Sequence, residues 1–221
     1  MKLKVFFIEV FIVLIGVSLA FFGETKRQQY LNKQLEHKYI KALKLDLSHN
    51  LKQTQFCVAE DNLQMTKLSQ FITDLQNKNF KQDSLATAIH NMLLSNKISF
   101  HQTTYQEIIN SSNMDVFVND SIRHMIIDYF DFYDGVRFTE EHSMNMLSNL
   151  IIPYITSNFS LLDYINKNIN SKVNSKGIDD DEFFNLLIMI IGFTDDKIKI
   201  YNQFIEKHNQ LISAIDKNYS E

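Results

Sequence analysis

Hydrophobic residues dominate the first helix-length segment of the chain. From Val5 to Phe22, fourteen of eighteen residues are Leu, Ile, Val or Phe. As an α-helix this segment is about 27 Å long, just enough to cross the hydrocarbon core of a bilayer. Its side chains favour insertion by roughly 4–8 kcal/mol, more than the roughly 2.5–3.5 kcal/mol that an ionised acid costs at mid-membrane. The pattern predicts a single N-terminal transmembrane helix, with residues 1–23 as a membrane anchor.

One acidic residue interrupts the apolar segment. At 100° per residue, Glu9 shares a face about 80° wide with four apolar or small residues. Gly16 and Ala20 lie one turn apart, like the small-residue pairs that let two membrane helices approach closely. Another helix satisfies a polar group on such a face better than lipid does. We therefore expect a membrane-helix interface, with a second copy or another membrane protein as partner, formed by Glu9, Val13, Gly16, Ala20 and Gly23.

Two features of the anchor leave alternatives open. Glu9 could also be an acid tolerated near the headgroups, or part of an ion or proton pathway. The basic start of the chain and the small residues Ser18 and Ala20 fit a cleaved signal peptide as well. An uncleaved anchor is favoured, because Glu9 interrupts the apolar run and because the run is long enough to span.

Amphipathic helix periodicity follows directly after the anchor. No Gly or Pro occurs between Gly23 and Gly135, and apolar residues recur at helical spacing over 24–76. The predicted long helix continues the anchor, and its pattern is weakest from Ser48 to Phe56. Such a rod could pair with copies of itself or fold back under the later helices. Its inward residues are expected to be Leu31, Leu35, Tyr39, Ala42, Leu43, Leu47, Val58, Met65, Leu68, Ile72 and Leu75.

The remaining sequence, 84–221, predicts shorter helices packed as a bundle within one helical domain, 24–221. Side chains expected in its core include Tyr129, Phe132, Leu187 and Ile190, and a loop is expected over 169–178. The expected helix boundaries are a capping box at Thr104 and Glu107, a cap at Asn119 or Asp120, an end or bend at Gly135, an end or kink at Pro153, and a break at Gly192 with Thr194 capping a last helix.

Composition supports an all-α fold. The chain has only five glycines and one proline in 221 residues, whereas β-sandwiches and α/β folds need more turn residues. The net charge is −4, so the chain lacks the basic footprint of a nucleic-acid-binding protein. The one cysteine, Cys57, is expected to be a small buried residue.

Candidate chemistry is sparse. The seven histidines never lie within a helical turn of one another, so we expect surface histidines and no metal site. No glycine-rich phosphate loop or Gly-x-Ser-x-Gly motif occurs. The acids Asp179 to Glu182 suit a helix N-terminus better than a calcium loop. Aromatic and acidic residues over 128–134 could line a groove for a cationic ligand, although a packed helix is favoured. We therefore expect no catalytic residue, cofactor or metal, and no enzyme.

The order of three stretches carries a resemblance to a known family. These are "IEVFIVLIGVSLAFF" followed by a basic helix, "TTYQEIINSSNM" followed by "RHMIIDYFDFY", and "FFNLLIMIIG" followed by an amphipathic helix. The chain resembles a family of uncharacterised membrane-anchored proteins of Bacteroidota, catalogued as a domain of unknown function. The resemblance implies the architecture of an anchored helical domain and no activity. The chain departs from the family in its short N-terminal tail and in having no Trp after the span.

The expected function is that of a non-enzymatic structural or interaction component that self-associates in the inner membrane. The alternative is a ligand-binding sensor domain that signals through its membrane helix. Basic residues after the span outnumber those before it, which favours a cytoplasmic domain. The signal-like start and the long basic tails implied by the resemblance favour export, so we expect the C-terminal domain to be periplasmic.

Overall fold

A computed structural model describes residues 2–77, 82–159 and 181–219. Its α-helices are α1 (Lys2–Gln76), α2 (Gln82–Met92), α3 (Thr103–Asn110), α4 (Asp120–Met146), α5 (Ile152–Asn158) and α6 (Asp181–Asn218). A 3₁₀ turn spans Asn113–Val116, and a π-helical segment spans Leu147–Ile151. No strand occurs among these residues, so the predicted all-α fold is confirmed. The predicted anchor and long helix are one unbroken element, α1, and the division at residue 23 stays a prediction.

Helices α1 and α6 pack against each other in antiparallel orientation. Lys44 contacts Asp216, Asp61 contacts Lys197, and the ring of Phe71 packs edge-on against Phe183. Each step along α1 thus corresponds to a step back along α6. The later helices fold back along the rod, one of the two arrangements that its sequence allowed.

Both helices bury a residue at alternating steps of three and four. This spacing is the heptad repeat of a left-handed coiled coil, with 3.5 residues per turn. We call these contact rows the seam. On α1 the fully buried members of the row are Glu36, Ile40, Leu43, Leu47, Asn50, Thr54, Cys57, Asp61, Gln64, Leu68 and Phe71. On α6 they are Phe183, Leu187, Ile190, Thr194, Lys197, Tyr201, Phe204, His208, Leu211 and Ile215.

Helix α4 completes a three-helix core and runs antiparallel to α6. Its first residues approach the end of α6, where the side chain of Asn119 bonds that of Asn218. Further along, the ring of Tyr129 stacks on that of Phe204 with 4.7 Å between centroids. Aromatic pairs of this kind stabilise a fold by about 0.5–1.5 kcal/mol beyond the contribution of the apolar area that they bury. A second apolar cluster, at the other end of the seam, joins α1 and α6 to α2, α5 and the π-helical segment.

The connection between α2 and α4, residues 93–119, returns along α1 towards the anchor. Gln64 binds the carbonyls of Asn91 and Leu94 at one end of this path, and Glu36 accepts a bond from the amide of Val118 at the other. Outside α3 and the 3₁₀ turn the connection is irregular, and side chains of α1 satisfy several of its backbone groups.

Two predicted helix breaks are wrong. Helix α4 continues past Gly135, and α6 continues past Gly192, whose φ is not positive. A glycine costs a helix about 1 kcal/mol, which packing on both sides outweighs here. Thr194 therefore does not cap a helix; it is 5% exposed within the seam.

Other boundaries divide between confirmation and correction. Asn119 caps α4, accepting bonds from the amides of Ser121 and Ile122, as predicted. The capping box at Thr104 is wrong, because Asp46 of α1 binds the Thr104 amide from another helix. The chain stays helical through Pro153, which lies in the first turn of α5. The π-helical segment just before it leads into α5 without a loop. The loop predicted over 169–178 lies outside the described residues.

Predicted burial is mostly confirmed. Tyr129, Leu187 and Ile190 are buried, and Phe132 is only half-buried. Leu31 is exposed, because the domain begins to cover α1 only near Leu35. From Phe6 to Leu31 every described side chain of α1 is exposed.

A charge placed on the seam tests this packing. Leu187 is 0% exposed and its neighbour Ile188 is 52% exposed, so the two provide a matched pair on one helix. We expect Leu187→Asp to lower the free energy of unfolding by about 3–5 kcal/mol, because an unpaired buried charge is left without solvation. Ile188→Asp should stay within about 0.5 kcal/mol of the parent protein. Circular dichroism during urea unfolding of the full chain measures both, and equal stabilities for the two variants would contradict the seam.

Candidate functional site

The predicted membrane-interface residues lie in the exposed part of α1. Glu9, Val13, Gly16, Ala20 and Gly23 are helical and share one face, and no described residue packs against it. A Cβ atom placed on Gly16 or Gly23 would meet nothing within 4 Å. One described helix, α1, is long and apolar enough to cross a membrane, and its most apolar eighteen residues have a mean hydropathy of 2.5. The described part of the domain therefore leaves this face open along its whole length.

The interior contains a polar cluster that the sequence pattern did not predict. The middle of the seam on α1 is polar: Asn50, Thr54, Asp61 and Gln64 are each at most 2% exposed. Asn50 exchanges two hydrogen bonds with the backbone of His101, at 2.9 and 2.7 Å. Since side chains of α1 bind the backbone of 93–119, these buried polar residues hold the connection in place.

An ion pair lies at the centre of this cluster. Lys197 Nζ is 3.1 Å from Asp61 Oδ2, and the two side chains are 2% and 0% exposed. Asn96 bridges them. Its backbone carbonyl accepts a 2.8 Å bond from Lys197 Nζ, and its side-chain amide Nδ2 donates a 2.9 Å bond to Asp61 Oδ1. The contact to Oδ2 lacks the alignment of a hydrogen bond, so charge attraction dominates there. Three segments of the chain therefore meet at one buried pair.

A second buried carboxylate, Glu140 of α4, lies beside this pair. Its Oε1 accepts bonds from the amide of Ile98 and the hydroxyl of Tyr201, both at 2.8 Å. Burial raises the pKa of Glu140 above its ordinary value, although these two bonds and the charge of Lys197 act in the opposite direction. Burial, together with the charge of Glu140, also raises the pKa of Tyr201. The Tyr201 hydroxyl therefore stays a hydrogen-bond donor.

Two further titratable residues of the seam are buried and chemically quiet. Burial and the negative charges of Asp61 and Glu140 raise the pKa of Cys57 to about 11. Its thiol is thus protonated at neutral pH and a poor nucleophile, in agreement with the prediction of a buried apolar role. His208 is 3% exposed, which corrects the prediction of a surface position. Burial lowers its pKa, so the imidazole is neutral within the core.

A surface cleft leads from solvent to Glu140. We call it the Glu140 cleft; its volume is about 260 Å³. Its walls come from the connection before α3 and from one face of α4, so the seam fixes both. The lining residues are Ser95, Lys97, Ile98, Tyr133, Arg137, Glu140, Glu141 and Met144.

The charged side chains around the cleft, Lys97, Arg137, Glu140 and Glu141, can bind and orient charged groups. Among the described residues, no three His, Cys, Asp or Glu side chains lie close enough together to hold a metal ion. A hydrophobicity pattern treats Asn50 and Asp61 as a gap in the amphipathic face. The signal that could have revealed them is the uninterrupted three-four spacing, which runs through the polar residues as well.

Comparison of the chain with protein-family models, curated proteins and solved structures finds no match. The family resemblance drawn from the sequence therefore stays a prediction.

Removing one member of the ion pair tests whether both charges are buried. Asp61→Leu leaves Lys197 charged and unpaired, and we expect it to lower the free energy of unfolding by about 3–5 kcal/mol. Asp61→Leu combined with Lys197→Met removes both charges and should recover most of that loss. Lys199→Met breaks an exposed pair and should cost at most about 1 kcal/mol. Urea unfolding measures all three variants; a double variant no more stable than Asp61→Leu would contradict the argument.

Proposed function

We propose that this protein is a non-enzymatic, single-pass membrane protein that acts as a structural or interaction component and self-associates through its anchor. The observation that carries the proposal is the continuity of α1. The same helix presents an unpartnered apolar segment and supplies one whole side of the domain core. Whatever contacts the anchor is thereby joined rigidly to the domain.

The packing of the domain supports an interaction role over an enclosed ligand-binding role. Its described core is filled by apolar and aromatic side chains in two contiguous clusters. On its outer face α1 also exposes three apolar residues on one side of the helix, roughly 17 and 10 Å apart: Leu45, Phe56 and Leu63.

The face that contains Glu9 supports self-association. Nothing described contacts it, and the small residues Gly16 and Ala20 allow another helix backbone to come close. A protonated Glu9 can donate a hydrogen bond to a carbonyl of that helix, worth about 0.5–2 kcal/mol in a membrane interface. The partner in this proposal is a second copy in the inner membrane, or another membrane protein with a similar face.

Bulky or apolar replacements on this face test the association. Glu9→Leu should improve insertion and weaken self-association, since the polar contact is lost. Gly16→Leu should weaken it by blocking close approach, and Glu9→Gln should have a mild effect because the amide still donates and accepts. Ser18→Leu adds the same bulk on the opposite side of the helix and serves as the control. Crosslinking of the full-length protein in membranes is the measurement; wild-type association of both Glu9→Leu and Gly16→Leu would mean that lipid covers this face.

The proposed orientation places the C-terminal domain in the periplasm. Its support is the signal-like order of a short basic start followed by an apolar run. A reporter that is active only outside the cytoplasm, fused after Glu221, should be active. Activity of a cytoplasm-only reporter at the same position would reverse the orientation and leave the self-association proposal standing.

A further inference from the structure

The Glu140 cleft ends at a buried carboxylate of which only one oxygen, Oε1, accepts hydrogen bonds from described residues. Glu140 is 7% exposed, and both of its hydrogen bonds go to Oε1. Its other oxygen, Oε2, has no hydrogen-bond partner among the described residues, and it is not among the fully buried atoms without one. A carboxylate in this position lacks one strong donor on its solvent side. An ammonium group supplies that donor together with a compensating charge.

Two cations, Lys97 and Arg137, and a second acid, Glu141, also line the cleft, and the charge of Lys97 acts on Glu140. Lys97 is exposed, and no described acidic side chain lies within 4 Å of its ammonium. Arg137 lies on the other wall, where its guanidinium contacts Asp134 at 3.1 Å and Glu141 at 3.9 Å. Asp134 thus contacts Nη2 closely, Glu141 lies at a longer distance from Nε, and neither contact involves Nη1. A carboxylate entering between Lys97 and Arg137 can therefore accept bonds from both.

Part of the remaining lining is apolar, and Ser95 and Glu141 complete it. Ile98, Met144 and the ring of Tyr133 form the apolar wall, and Tyr133 is fixed because it stacks on Phe100 with 3.6 Å between centroids. A volume of about 260 Å³ suits a molecule of amino-acid size rather than a nucleotide or a cofactor. A short aliphatic side chain of the ligand would contact this wall.

We propose that the Glu140 cleft is a binding site for a small zwitterion of the α-amino-acid class, with its ammonium group on Glu140 and its carboxylate between Lys97 and Arg137. This inference goes beyond the proposed scaffold role and does not depend on self-association. The site connects to α1: Glu140 binds Tyr201, and Asn96 links Tyr201 through Lys197 to Asp61. Occupancy of the cleft is thus linked to the helix that carries the anchor.

Three related ligands separate the two charges. L-leucine carries both, 3-methylbutylamine carries only the ammonium group, and 4-methylpentanoate carries only the carboxylate. Calorimetric titration of the full chain in detergent should show saturable binding of L-leucine. Each analogue should bind about tenfold more weakly or worse, because each loses one charged contact. The affinity for L-leucine should rise as the pH increases through the raised pKa of Glu140, because the ionised carboxylate binds the ammonium group.

Matched variants locate the binding. Glu140→Gln keeps an acceptor oxygen for Ile98 and Tyr201, so the domain should fold, and it should lose about tenfold or more of the leucine affinity together with its pH dependence. Lys97→Gln should bring the affinities for L-leucine and 3-methylbutylamine together. Glu206→Gln, at an exposed carboxylate of α6, should bind like the parent protein. Absence of saturable leucine binding, or undiminished binding by Glu140→Gln, would overturn the proposal, whatever the crosslinking of the anchor shows.

Discussion

The buried pairing of Asp61 with Lys197 constrains everything around it. Two charges taken out of water are stable only if each finds compensation, and here Asn96 supplies the remaining bonds to both. A slip of one heptad between α1 and α6 would place Asp61 against Ile190 or Phe204 and Lys197 against Thr54 or Leu68, so neither charge would keep its partner. The pair therefore selects one register of a seam whose spacing alone would allow several. That register in turn positions α4 and the connection that lines the cleft.

The ends of the seam contribute mainly apolar burial, and its middle contributes hydrogen bonds. Both ends are apolar, with Leu43 and Leu47 near the anchor and Leu68 and Phe71 at the far end, and they provide most of the burial. The middle gives up hydrophobic contact and gains hydrogen bonds to an irregular segment of backbone. A fully apolar seam would bury more area and leave the amide and carbonyl of His101 and the carbonyl of Leu94 without these partners. The polar middle of the seam thus holds in place the segment that forms one wall of the Glu140 cleft.

Local pattern predicted the helices well, and long-range packing decided what the pattern missed. An N-terminal helix long and apolar enough to cross a membrane, the continuity of α1 and the Asn119 cap all follow from neighbouring residues, and each is confirmed. The breaks expected at Gly135 and Gly192 fail because tertiary contacts on both sides outweigh a local preference. Glu140 and Lys197 were not predicted as a site, because they are 57 positions apart and only the antiparallel fold joins them. The face containing Glu9 follows from helical spacing alone, and its partner stays a prediction.

Because α1 is unbroken, a change in the tilt of its N-terminal segment moves the whole domain. Between Gly23 and Glu36 the helix rises about 20 Å before the domain begins, and Gln76 lies roughly 80 Å from Gly23. With the anchor in a bilayer, a change of about 10° in its tilt, within the ordinary range for membrane helices, would swing the far end of the domain by roughly 14 Å. Membrane thickness and anchor contacts would thereby be amplified into large displacements. In that arrangement, contacts made by α1 within the bilayer would set the reach of the domain.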